Sequence, residues 1–173
     1  YLLTVLGFLN QDTIGRIIGS DINPELLETA KKNLSLLSEE GMNKRIAEIK
    51  EMLSSYQKQS HIEALNSAIA LRNMLRKKIK FEVYRFDALK EINLKAKPDI
   101  ILTDVPYGNM VDWTGNEENN ILDKLLDTLY GICSPDTVIG LCMSKKQKIR
   151  NEKFIRLEKQ QIGKRKFEIL KKD

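Results

Sequence analysis

Short β-branched runs alternate along this chain with longer stretches whose apolar residues recur every three or four positions. "YLLTVLGFL" has the second pattern and closes on the polar turn "NQDT", which predicts a helix end over residues 2–9. "GRIIGS" (15–20) is a short apolar run that stops at Asp21 and predicts a buried strand. "DINPELLETAKKNLSLL" then reads as a helix with Asn23 as cap, Pro24 in the first position and Glu25 and Glu28 in the first turns. Leu26, Leu27, Ala30 and Leu34 are its expected core face.

The polar stretch 38–78 predicts a helical hairpin. Met42, Ile46, Ile49, Leu53 and Tyr56 form one apolar stripe. Ser60-His61-Ile62-Glu63 has the spacing of a capping box that would open the second helix, with Ile62, Leu65, Ile69 and Leu75 turned inward. His61, the sole histidine, reads as a surface residue of that turn. Strands follow at "KFEVYRF" (80–86), "PDIILT" (98–103) and "TVIGLCMS" (137–144), with the helix "NILDKLLDTLYGIC" between the last two. The tail "KFIRLEKQQIGKRKFEILKK" resembles two strands joined through Gly163. Strands alternating with helices predict an α/β sandwich with a mostly parallel sheet: one domain, residues 1–173, carrying a helical insertion at about 39–79.

Composition adds that 173 residues, 42% hydrophobic and 31% charged, suit one ordinary globular domain. No run approaches the roughly 18 apolar residues of a membrane span. The apolar start lacks the basic leader and cleavage site of a signal peptide. Cys133 and Cys142 lack metal-ligand spacing and read as reduced core residues, which favours the cytoplasm. Charge is more informative by region than in total. Residues 145–173 hold 12 Lys and Arg against 4 Asp and Glu, while the rest of the chain is slightly acidic. A basic segment behind a nearly neutral body is what a polyanion-binding face requires, and a merely solvated lysine-rich surface has the same composition.

Candidate chemistry gathers at three predicted strand ends: Asp21, Asp87 and Asp104. In open α/β sheets, ligands bind outside the carboxyl ends of the strands. An acid there can accept from ribose hydroxyls, as Asp21 would, or from an adenine amino group, as Asp87 would. Aspartate is also a common helix cap, so each acid alone has a purely structural reading. "TDVPYG" (103–108) adds what a nucleotide site does not need. The Asp104 carboxylate and the Val105 carbonyl can accept both protons of a base amine, whose lone pair is otherwise delocalised. Pro106 fixes the turn without an N–H of its own. Tyr107 offers a stacking face worth roughly 1–3 kcal/mol. Catalysis of this kind is mostly alignment and preorganised electrostatics.

"DVPYG" resembles the Asp/Asn-Pro-Pro-Tyr motif of S-adenosylmethionine-dependent amino methyltransferases. Four stretches in order, "YLLTVLG", "SDINPELLETAKKNLSLLS" with the insertion after it, "PDIILTDVPYG…W" and "LEKQQIGKRKFEIL", are similar to the avilamycin-resistance (AviRa-like) type of 23S rRNA guanine-N2 methyltransferase. That resemblance implies a Rossmann-like class I methyltransferase sheet, mostly parallel with an antiparallel last strand. It implies S-adenosylmethionine as cofactor, with Asp21 and Ile22 at its ribose and Asp87 and Ala88 at its adenine. Asp104, Val105, Pro106 and Tyr107 would hold the target guanine. Gly108, Trp113, Lys145 and Lys146 would contact the RNA substrate, although Trp113 suits a packing anchor equally well. The expected partner is large-subunit ribosomal RNA, the expected state a monomer, and antibiotic resistance a role of the family. Val105 stands where the family has its first proline. The family's first strand and glycine-rich cofactor turn would lie before Tyr1, so a truncated chain with weak cofactor binding is expected. The alternatives are a catalytically silent RNA-binding remnant and a DNA adenine or cytosine amino methyltransferase.

Overall fold

The computed structural model describes residues 1–105 and 121–173. Pro106, Tyr107, Gly108 and Trp113 therefore lie outside the described residues. The chain divides into two compact units, Tyr1–Phe86 and Asp87–Asp173.

In the first unit, α1 (Leu2–Leu9) leads into β1 (Arg16–Asp21), and β1 pairs in parallel with β2 (Lys80–Arg85). α2 (Pro24–Ser35) begins as its sequence requires: the Asn23 side chain accepts from the Glu25 N–H, and Pro24 follows at a position where its missing N–H costs nothing. Ile17, Leu34, Leu37 and Ile79 form the core between α2 and this two-stranded sheet. Leu27 is buried too, but Leu26 is 52% exposed rather than core-facing. One residue is about 100° of helix, and the buried direction runs through Leu27 and Leu34, which turns Leu26 out.

The predicted hairpin is α3 (Glu39–Tyr56) and α4 (Gln59–Met74). Met42, Ile46 and Ile49 of α3 close over Ala68, with Ala64, Leu65, Ile69 and Leu75 packed around them. Tyr56 and Ile62, expected inside, are exposed; both sit near the tip where the two helices join, outside the packed middle of the pair. The capping box does not form. Gln57 takes the left-handed conformation (φ 49°) and Lys58 is already the cap of α4, so Ser60 is carried into the helix's first turn. His61 lies in that turn beside the Tyr56 ring, at 6.3 Å between centroids. At the other end the junction of α2 and α3 is tight. Ser38 caps α3 by accepting from the Gly41 N–H, and a Cβ on Gly41 would stand 2.0 Å from the Ser35 carbonyl oxygen.

The second unit is a four-stranded sheet in the order β3-β4-β6-β5, with α5 (Ile121–Ile132) against one face. β3 (Ile100–Asp104) and β4 (Val138–Ser144) pair in parallel. β6 (Arg165–Lys172) runs against β4 and against its hairpin partner β5 (Phe154–Ile162), so the last strand alone is reversed, as expected. Gly163 at the hairpin turn has φ +58°, the left-handed region that glycine adopts without strain. Leu122, Leu125, Leu126 and Leu129 of α5 pack on Ile139, Leu141 and Met143 of β4 and on Leu170. β3 departs from the buried strand its apolar run predicts: Ile100 is 66% exposed, and Ile101 to Thr103 are half-buried. On the α5 side of β6, Lys166 and Glu168 form a buried ion pair at 2.8 Å. Cys133 is buried, Cys142 half-buried, and both are free thiols.

Candidate active site

Each of the three acids closes a parallel strand or follows one, but their local chemistry differs. Asp21 is the last residue of β1, in register with Arg85 of β2. One of its oxygens, Oδ1, accepts from the Asn23 N–H at 2.8 Å. That bond pins the carboxylate and leaves the second oxygen for another donor. Ile22 is exposed beside it, and its carbonyl accepts from Arg85 Nε at 3.1 Å, tying the turn to β2. In the second unit, Asp87 repeats the arrangement: its Oδ1 accepts from the Leu89 N–H at 3.0 Å, across Ala88. Lys90 Nζ lies 3.6 Å from the other Asp87 oxygen, with the lysine 80% exposed.

Asp104 cannot follow this pattern. Two residues beyond it stands Pro106, which has no N–H to give. The turn that commits one oxygen at Asp21 and Asp87 is covalently ruled out, and Asp104 ends β3 exposed to solvent. Its successor, Val105, is 1% exposed and donates its N–H to the Cys142 carbonyl at 2.9 Å. An acid thus projects from a strand end whose next residue is anchored in the core.

β4 ends in the same direction. Lys145 and Lys146 follow Ser144 and are exposed, with the Lys145 N–H donating to the Lys164 carbonyl at 3.1 Å. Ser144 is the register partner of Arg165. The four-stranded sheet therefore brings Asp104 and the basic residues Lys145, Lys146, Lys164 and Arg165 to one end. Two residues escaped the sequence reading: Arg85, which steadies the turn after Asp21, and Cys142, the register partner of Asp104. A parallel alignment of "IILTD" with "VIGLC" contains the second, but the register is not written in either strand alone.

Strand-end acids on parallel strands, a reversed final strand and one helix-covered sheet face define a Rossmann-like class I methyltransferase fold. The comparisons agree. The model of the rRNA methyltransferase AviRa family matches residues 1–165. A 23S rRNA (guanine(2535)-N(1))-methyltransferase of Streptomyces viridochromogenes is 34% identical over 95% of this chain and 69% of its own length. Two solved structures of rRNA methyltransferase aviRa from Streptomyces viridochromogenes superimpose with TM-scores of 0.86 and 0.85 at 32% and 31% identity. Each covers 99% of this chain and 72% of the solved one. This chain belongs to the AviRa rRNA methyltransferase family.

Methyltransferases of this type use S-adenosylmethionine, whose sulfonium supplies an electrophilic methyl group. The residues present fit that cofactor. A ribose diol needs a fixed carboxylate with an open oxygen, which is the state of Asp21 among the described residues. Among the described residues no helix is long and apolar enough to cross a membrane.

Proposed function

We propose that this protein methylates a guanine of 23S ribosomal RNA at its base-pairing edge, acting as a monomer in the cytoplasm, with Asp104 as the acceptor that aligns the base. The observation that carries the reading is the Asp104 carboxylate, exposed at a strand end and barred by Pro106 from the turn bond that Asp21 and Asp87 make, in a chain of this family. Guanine presents its ring N1–H and its N2 amino group side by side, and a carboxylate can accept from both. The motif's acceptor pair favours N2, where removal of the amine's delocalisation is the main task. The name of the Streptomyces viridochromogenes relative favours N1, where Asp104 would receive the ring proton. Either atom is paired inside a duplex, so the base must be flipped out or already unpaired. Asp21 with Ile22 and Asp87 with Ala88 would hold the cofactor, and Pro106 and Tyr107 would frame the base. Gly108, Trp113, Lys145 and Lys146 would contact RNA, the two lysines with Lys164 and Arg165 mainly through phosphates.

The test is methyl transfer from labelled cofactor to undermethylated 23S rRNA, with the modified atom mapped by mass spectrometry. Methylguanosine should appear, as the N1 or the N2 isomer. The Asp104→Ala variant should lose at least about 100-fold in turnover while its rRNA affinity stays within about twofold. Retained turnover in that variant would overturn the role of Asp104. A wild-type protein that binds rRNA without transfer would make this chain the silent RNA-binding form.

A further inference from the structure

Asp21 and Asp87 are each oriented by a backbone N–H two residues on, and Asp104 is denied that donor by Pro106. A carboxylate with no fixed donor rotates about its side-chain bonds, which weakens an alignment mechanism. The fold supplies a substitute from the next strand. Cys142 is the register partner of Asp104, and in a parallel pair such residues project on the same face. Leu141 and Met143 on either side are buried toward α5, so Cys142 points to the opposite face, half-buried. The backbone link between the Val105 N–H and the Cys142 carbonyl locks the register at this level, at 2.9 Å. We propose that Cys142 is a positioning residue, whose thiol donates to one Asp104 oxygen and leaves the other for the target base. This rests on the reading of Asp104 given above.

The thiol's own chemistry agrees. Partial burial pushes Cys142 up from the usual thiol range, and the hydrogen bond to Asp104 and the charge of that carboxylate push it further up. Arg165, at the start of β6, acts in the opposite sense, and the β6 neighbour in register, Phe167, carries no charge. A neutral thiol at working pH is what a donor must be.

Two measurements test this, one of them independent of turnover. The rate of Cys142 alkylation by iodoacetamide is followed against pH, with the Cys142→Ser variant giving the background from buried Cys133. In Asp104→Asn the alkylation profile should move to lower pH, because the group that favours the protonated thiol is gone. In the transfer assay, Cys142→Ala should lower kcat by about three- to tenfold with unchanged rRNA affinity, and Cys142→Ser, which keeps a donor, should restore most of it. An unshifted alkylation profile, or Cys142→Ala turning over like wild type while Asp104→Ala is dead, would sink the positioning role and spare Asp104. Turnover retained in Asp104→Ala would remove both.

Discussion

Asp21, in the helical first unit, and Asp104, in the four-stranded second unit, both end a parallel strand, yet their carboxylates are held in opposite ways. The first spends one oxygen on its own turn and becomes a rigid, half-committed acceptor. The second is followed by a proline at the position that donates at Asp21, so the same bond cannot form there. On the function proposed above, the difference sorts strand-end acids by task. A ribose diol is a static target and is served by a fixed single acceptor. A base edge whose protons shift during reaction calls for a carboxylate oriented from a neighbouring strand, with one oxygen turned to the base. Asp87 makes the same turn bond as Asp21, and the proposed function groups it with Asp21 for that reason.

The comparison can be broken by substitution. After Asp104→Ala, the largest effect is expected for Asp21→Ala, which should raise the cofactor dissociation constant by about ten- to a hundredfold, the scale of hydrogen bonds to a charged group. Calorimetry measures that, and turnover at saturating cofactor should stay nearly unchanged. A loss in kcat alone would mean that Asp21 belongs with Asp104. Pro106→Ala comes next. It restores an N–H two residues after Asp104 and should draw the carboxylate into a turn like those at Asp21 and Asp87. Single-turnover rates should fall about tenfold, with cofactor affinity unaltered. An unchanged rate would show that the missing N–H has no bearing on catalysis. The smallest effect belongs to Lys90→Ala. Lys90 reaches the second Asp87 oxygen at 3.6 Å from a largely solvated position, so cofactor affinity should change less than about fivefold. A larger change would show that Lys90 is part of the cofactor site.

Much of this was legible before the fold was known. Asn23 and Pro24 announce the start of α2 because capping chemistry is local. The apolar stripe of α3 is readable because Met42, Ile46 and Ile49 repeat with the helical period. Positional exceptions were not readable: Leu26, Tyr56 and Ile62 carry the right side chains, and their exposure follows from where neighbouring elements stop. Gly41 gave no signal, since its need to be glycine comes from the Ser35 carbonyl of the preceding helix. At the site, Asp104 declares itself through its motif, and even the absent donor at Pro106 is written in the chain. Cys142 is not, because strand register is settled by the packing of Leu141 and Met143 under α5 rather than by any residue near Asp104.

The hairpin's two ends differ in a way that matters to anyone wishing to transplant it. Its tip reverses through Gln57 and Lys58 alone, so loop extensions, tags or fluorophores placed there would meet solvent and leave the helix pairing untouched. Its root, in contrast, is keyed to the host: Ser38 holds α3 to the end of α2, and Gly41 lets the backbone of Ser35 pass. The hairpin is therefore a cassette open to decoration at one end. It can be moved to another methyltransferase only if residues 35–41 travel with it and Gln11, which bonds the Met74 carbonyl and the Arg76 N–H at the foot of α4, is supplied too.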